Sequence, residues 1–380
     1  MKVLIVGAGM AGLALANILD KDKFQITLVD KALKFGTIGF AISVWNRGIK
    51  VLERLNLYKK LENKINIIKQ DALFDDQMNY ITNIDLEYLN LDYDMCVVSR
   101  ADLHQALSDN LIETGKYKDN QINIQMSTNI KQIENSNSGV WITFNTDNRE
   151  FFDIVIGADG VRSQVRDLAF GIFQDALVKM PYKLWSFWTE KSDNDVVAVL
   201  GQGHMSIEYP SGGRGVFTAI SKINSNILEL NSKYERVNFA FKKFGEMTRR
   251  RIAKVKEDDI FEDDMHYVNL KSFVSQRVVL IGDAAHALSP ILGLGTTLAI
   301  EDGCILGDVL NSLTDTKHIN NLLLSYNTSR SKYIKNFRFR ILFLEKLYIG
   351  DNFIFKSFRN LYGKLFGVQL YESLLVKYLK

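Results

Sequence analysis

The chain has 380 residues, 47% hydrophobic and 24% charged, which is the balance of an ordinary folded protein with room for two cored domains. A formal net charge of +3, with no basic stripe interleaved with aromatics in the body of the chain, gives no ground for a nucleic-acid partner. The only two cysteines, Cys96 and Cys304, lie far apart in apolar surroundings, which excludes a disulfide framework and speaks against a metal site; a reducing cytoplasm is expected, and no apolar run reaches the roughly 18 residues of a membrane span.

The chain opens with an apolar strand, Val3 to Val6, running into Gly7-x-Gly9-x-x-Gly12 and an apolar helix that ends near Asp20. Gly7 permits a tight turn, Gly9 lets the backbone approach a pyrophosphate, and Gly12 lets the helix pack closely on the sheet. The helix start, at Met10 and Ala11, would face phosphate with free N–H groups and a partial positive charge. A second strand, Ile26 to Val29, ends in Asp30 and Lys31, at the interval where an acid takes an adenosine ribose hydroxyl. Lys2 before an apolar run also suggests a secretory signal. Its single positive charge, the three glycines and the strand that follows argue against that, so the N-terminus is read as mature protein.

Arg47 lies in the stretch from Gly39 to Leu57, where Phe40 and Trp45 fit a core equally well. Ser99 precedes Arg100 at the start of a helix whose Leu103, Leu107 and Leu111 share one face, with Ser99 placed as the cap. Midway, a strand from Asp153 to Gly157 leads into Gly157-Ala158-Asp159-Gly160, followed by Arg162, Ser163 and Arg166. Asp159 should therefore sit at the carboxyl edge of the sheet, where open α/β folds place ligands. The bland alternative is an Asp-Gly turn.

Residues 71–95 and 176–267 carry no such motif. The second stretch holds alternating segments, Trp185 to Thr189, Val196 to Leu200, Met205 to Tyr209 and Val216 to Ile220, that predict antiparallel strands. Among them, His204 is a candidate for substrate contact or general base. Trp188, Met205, Tyr209 and Phe217 are candidates for a pocket lining, against core positions for all four and a surface loop for the histidine. A helix from about Glu235 to Lys254 follows, ending in Arg249-Arg250-Arg251, read as a solvated helix end.

A strand from Val278 to Ile281 introduces the last motif: Gly282-Asp283-Ala284-Ala285-His286, then Pro290, Gly293 and Gly295, with a helix starting near Thr296 and Glu301-Asp302 within it. From Arg330 to Lys380 basic residues alternate with aromatics. This pattern fits short helices, broken at Gly350, Gly363 and Gly367, that pack on the body. It fits less well an amphipathic surface lying on an anionic membrane.

Together these motifs resemble the class A flavoprotein monooxygenases, the single-component, FAD-dependent aromatic hydroxylases with a para-hydroxybenzoate hydroxylase-like fold. That resemblance implies an α/β fold: a Rossmann-like FAD-binding domain at 1–70, 96–175 and 268–329, an inserted, mostly antiparallel β-sheet substrate domain at 71–95 and 176–267, and a C-terminal helical segment at 330–380. It implies tightly bound FAD held by Gly7, Gly9, Met10, Ala11, Gly12, Asp30, Lys31, Arg47, Arg100, Asp159, Asp283, Pro290, Gly293, Gly295 and Thr296, and no metal. Where the family often has Asn, this chain has Thr297; the helix start ahead of it would stabilise reduced flavin. No second glycine fingerprint exists, so NADPH or NADH is expected to bind transiently. The implied reaction passes hydride to the flavin, forms a C4a-hydroperoxide from O2, and delivers one oxygen to a small aromatic or polycyclic substrate, tetracycline-like compounds included. Two alternatives share the fold: a flavin-dependent reductase or oxidase that does not hydroxylate, and a flavin-loaded, non-enzymatic sensor.

Overall fold

The computed structural model describes residues 1–36, 39–113, 122–171, 176–190 and 195–380. A six-stranded sheet runs in the order Val274–Ser275, Val278–Leu280, Ile154–Gly157, Lys2–Val6, Gln25–Val29, Ile122–Gln125. Every pairing in it is parallel except that of the edge strand Val274–Ser275. Its inner strands are almost wholly buried, as parallel strands covered on both faces must be. The register aligns Val6 with both Gly157 and Val29, and Gly157 with Leu280. The fingerprint turn, Asp30, the Gly157 motif and the Asp283 loop therefore leave the sheet at one edge, although the sequence separates them widely.

A seven-stranded sheet draws its strands from two parts of the chain, in the order Phe261–Val268, Leu177–Thr189, Arg214–Lys222, His204–Ser211, Val196–Leu200, Gln70–Asp75, Tyr80–Asp85. Its pairings are antiparallel except where Val196–Leu200 meets Gln70–Asp75 in parallel. Strand alternation gives the sheet two different faces. One face, with Trp185, Phe187, Val197, Val199 and Phe217, forms a core with Val237, Phe241 and Ile252. The other face borders a cavity of about 1070 Å³.

The helix expected over about 235–254 is two helices, Lys233–Phe241 and Glu246–Lys254, the first opened by a capping box of Ser232 and Glu235. Gly245 interrupts them and donates its N–H to the Asp76 carbonyl at 2.7 Å. Arg249 and Arg250 of the triplet are exposed, as a solvated helix end requires, while Arg251 is half-buried. Arg250 pairs with Glu246, Arg251 pairs with the buried Glu208 at 2.9 Å, and Arg249 donates to the Phe244 carbonyl.

The C-terminal segment is less fragmented than its glycines suggest. One helix runs Ile319–Ile349 and stops at Gly350; a second runs Phe353–Tyr371 with a kink at Phe366. Gly363 and Gly367 do not end this second helix. They let it press on the strand Tyr80–Asp85, since a Cβ at either would lie 2.8 Å from Ile81 or Thr82. Ile334, Phe337, Ile341 and Leu344 join the main core, while Phe339, Phe353, Ile354 and Leu361 stay exposed. No helix among the described residues is long and apolar enough to cross a membrane.

Candidate active site

The fingerprint glycines divide their work by geometry. A Cβ on Gly12 would lie 2.0 Å from the Gly7 carbonyl oxygen, and one on Gly7 would lie 2.4 Å from that of Ala158. Neither position has room for a side chain, and Gly7 also has φ of +107°. Gly9 is different. A Cβ there would meet nothing nearer than 4.0 Å, so its bareness keeps open a space that the folded chain itself leaves unfilled. That space lies at the start of the helix Met10–Ile18, whose cap has no side-chain hydrogen bond. A cradle of this shape, with free N–H groups facing it, fits a pyrophosphate.

Asp30 stands beside the same turn. Its two carboxylate oxygens accept from the Ala8 and Ala32 N–H groups, each at 2.8 Å. A carboxylate has about four lone-pair sites, so capacity remains for a ribose hydroxyl. Lys31 next to it is exposed. Sequence reading missed His104, which is buried and whose Nε2 meets the Ala8 carbonyl at 2.7 Å. Burial lowers its imidazole pKa, which keeps it neutral, with the Nε2 proton given to that carbonyl.

A cavity of about 1070 Å³ begins at Gly9, Met10 and Ala11 and extends to the seven-stranded sheet. Arg100, Asp283, Pro290, Gly293, Gly295 and Thr296 line it, as do Trp188, Met205 and Tyr209. Arg100 opens the helix Arg100–Glu113, and Ser99 Oγ accepts from the Asp102 N–H at 3.0 Å, the cap its sequence predicts. Gly39 leaves no room for a Cβ against the Arg100 side chain. Burial raises the Asp283 carboxyl pKa above the usual range, against the opposing pull of His286 and Arg100. The helix Gly295–Asn311 starts at the cavity without a side-chain cap. Thr297 Oγ1 accepts from the Trp45 N–H, which ties this start to the strand Ala41–Val44.

Four expected site residues are turned elsewhere. Asp159 does not line the cavity, although Ala158 and Gly160 do. Its carboxylate is taken by Ser163 Oγ at 2.5 Å and by the N–H groups of Gln164 and Val165, so it caps the following helix. Arg47 is held by Glu301 and by Tyr333 Oη, away from the cavity. His204 and Phe217 fall on the core face of the sheet. The His204 ring packs edge-on to Phe241 and Phe244, and Phe217 stacks on Phe187 at 5.0 Å. Strand parity decides both positions: Met205, Ile207 and Tyr209 face the cavity, so His204 cannot, and Thr218 and Ile220 do, so Phe217 cannot. Arg162 pairs with Asp263 at 2.9 Å, and the buried Arg166 donates to the Ala284 carbonyl, bracing the last motif from behind.

The profile described as FAD binding domain matches residues 1–338. The chain belongs to the FAD binding domain family. The FAD-dependent urate hydroxylase of Klebsiella pneumoniae is 24% identical over 350 residues, spanning 88% of this chain and 87% of its own. The 3-hydroxybenzoate 6-hydroxylase of Polaromonas naphthalenivorans is 25% identical over 326 residues, spanning 82% and 79%. The crystal structure of Klebsiella pneumoniae HpxO complexed with FAD and uric acid superposes with a TM-score of 0.86 at 21% identity, covering 100% of this chain and 96% of that one. Tetracycline destructase Tet(55) superposes at 0.75 with 20% identity, covering 99% and 97%. These likenesses show an α/β flavoprotein fold with a C-terminal helical segment. FAD is the cofactor, and the chain is a flavoprotein oxidoreductase of the FAD-dependent monooxygenase kind.

Proposed function

We propose that the chain consumes NADH or NADPH to insert one oxygen atom of O2 into a small aromatic or polycyclic substrate. One observation carries this reading: a single cavity joins the dinucleotide cradle at Gly9 to the apolar face of a separate sheet. Its volume of about 1070 Å³ is at the top of the roughly 300–1,000 Å³ usual for one drug-sized ligand, which suits a flavin ring and a substrate together.

In this reading residues 71–95 and 176–267 form the substrate part, 1–70, 96–175 and 268–329 hold FAD, and 330–380 cover the cavity from outside. Gly9, Met10 and Ala11 take the pyrophosphate, Asp30 with Lys31 the adenosine ribose, and Asp283 a hydroxyl on the flavin side. Bound FAD supplies hydride acceptance and oxygen activation. The chain's own residues position and shield. The N–H groups at Gly295 and Thr296 offer positive potential where reduced flavin gathers charge. Trp188, Met205 and Tyr209 hold the substrate ring and keep water out.

The test is isotopic. Purified chain with FAD, NADPH or NADH and labelled O2 should place one labelled atom in a product from a phenol and polyketide panel, with donor consumption stimulated by the same compound. A reduced product free of label would instead establish the reductase alternative, and donor consumption that no compound stimulates would favour the sensor.

A further inference from the structure

Asp71 lies in the strand Gln70–Asp75, opposite Val196 in the register, and its side chain borders the cavity. The neighbouring strand contributes Val196 and Ala198 to the same cavity, and the C-terminal helices contribute Tyr348 and Tyr371. Oδ1 of Asp71 is closed off from solvent and has no hydrogen-bond partner, and among the described residues no cation pairs with this carboxyl. Burial alone pushes its pKa up to about 7. Both tyrosine hydroxyls have pKa values raised by burial and by the field of Asp71, so they stay neutral beside it.

A buried carboxyl with an idle oxygen is costly to a folded chain unless something donates to it. The strands that carry it are fixed by their ladders, and the helices that cover it contribute phenols that do not bond to it. Asp71 as a whole is only partly buried and lines the cavity, so a donor that enters the cavity can reach its carboxyl group.

We propose that Asp71 is the polar anchor of the substrate subsite, so that the cavity takes aromatic compounds presenting a phenolic O–H or ring N–H there and rejects those presenting a carboxylate. For the chemistry performed this rests on the monooxygenase reading; for binding it does not. A donor satisfies the carboxyl group, whereas a carboxylate meets like charge in an apolar wall. A site built to accept a hydrogen bond discriminates strongly, because the wrong ligand leaves its buried acceptor unpaired.

The experiment uses the FAD-loaded chain and three probes of one shape: 2-naphthol, 2-naphthoate and 2-methylnaphthalene. Binding is read from quenching of tryptophan fluorescence, since Trp45 and Trp188 line the cavity, at about pH 8, where Asp71 is ionised. Wild type should prefer 2-naphthol to 2-naphthoate by about tenfold or more. Asp71→Asn should bring the two within about threefold, mainly by improving 2-naphthoate. Asp71→Leu should improve 2-methylnaphthalene and weaken 2-naphthol, and it reads the same preference if the Asn variant folds poorly. A wild type with no preference for 2-naphthol overturns the proposal, as does a preference that both variants leave unchanged. If label from O2 never reaches a product while the preference and its loss are both observed, the monooxygenase reading falls and the anchor stands.

Discussion

Arg330 donates from Nε to Oδ1 of Asp302 at 2.5 Å, with both residues buried. The other oxygen of Asp302 receives the Gly282 N–H and meets His286 Nε2, each at 2.6 Å. One arginine on the long C-terminal helix thus fixes the loop that carries Asp283. Arg330 also donates to Glu301 at 2.7 Å, and Glu301 in turn holds Arg47. His286 joins the same arrangement through the Asp302 carboxylate.

Replacing Arg330 by Met leaves two buried carboxylates without their shared cation. Loss of about 3–5 kcal/mol of stability is expected, with easier release of FAD. Thermal unfolding and retained flavin absorbance measure the two effects. The pH dependence has a definite sign. The folded-state pKa of Asp302 is lowered to about 2, below its ordinary 3.8, by Arg330 and His286 against a burial cost. Its stabilisation is therefore complete above its ordinary value and is lost as pH falls towards 2. The gap between wild type and the variant should narrow across that acid range; a constant gap would refute the assignment.

Gly9→Ala and Gly12→Ala should fail in different ways. The methyl at Gly9 enters the open cradle, so the chain should fold with near-native melting yet lose FAD. At Gly12 the methyl would overlap the Gly7 carbonyl, so folding itself should suffer, by about 3 kcal/mol or more. Melting curves beside flavin content separate the two. Equal stability losses in both variants would count against this division of roles.

His204→Leu should leave substrate-stimulated donor consumption within about twofold of wild type, because the ring lies behind the sheet. Its Nδ1 is buried without a partner, so removing it should change stability by no more than about 1 kcal/mol. A fall in turnover of about a hundredfold would return His204 to the active site.

Asp71→Asn should stabilise the ligand-free chain, and more so at high pH. The folded-state pKa of Asp71 is raised to about 7 from an ordinary 3.8. Between those values the folded chain binds more protons than the unfolded one, so wild-type stability falls as pH rises through that window. The Asn variant escapes this loss. Its advantage should reach about 1–3 kcal/mol near pH 8 and shrink towards pH 4. Chemical denaturation at the two pH values decides it.

Much of the dinucleotide cradle was legible because local backbone demands write themselves into sequence. Gly7, Gly9 and Gly12 follow a strand and open a helix; the turn and close contacts at Gly7 and Gly12 leave no room for a side chain, and Gly9 keeps the cradle open. Asp159 and Arg47 show the limit of that reading. Their motifs were recognisable, but which atoms their side chains satisfy depends on Ser163 and Gln164 in one case and on distant Glu301 and Tyr333 in the other. The substrate wall was legible only to within one residue. Trp188 and Met205 face the cavity while Phe217 and His204 do not, and a shift of one position in a strand reverses the face. Asp71, Tyr348 and Tyr371 carried no signal, since tertiary packing alone brings residues 277 and 300 positions apart to the same wall.

The two-faced sheet makes the enzyme adjustable. Leu184, Ser186, Val196, Ala198, Ile207 and Thr218 line the cavity, while their immediate chain neighbours carry the packing on the far side. Substitutions at those six positions can reshape ligand choice at little structural cost, and a library confined to them would sample new substrates on an intact scaffold. The same library shifted by one residue would spend its diversity on proteins that fail to fold.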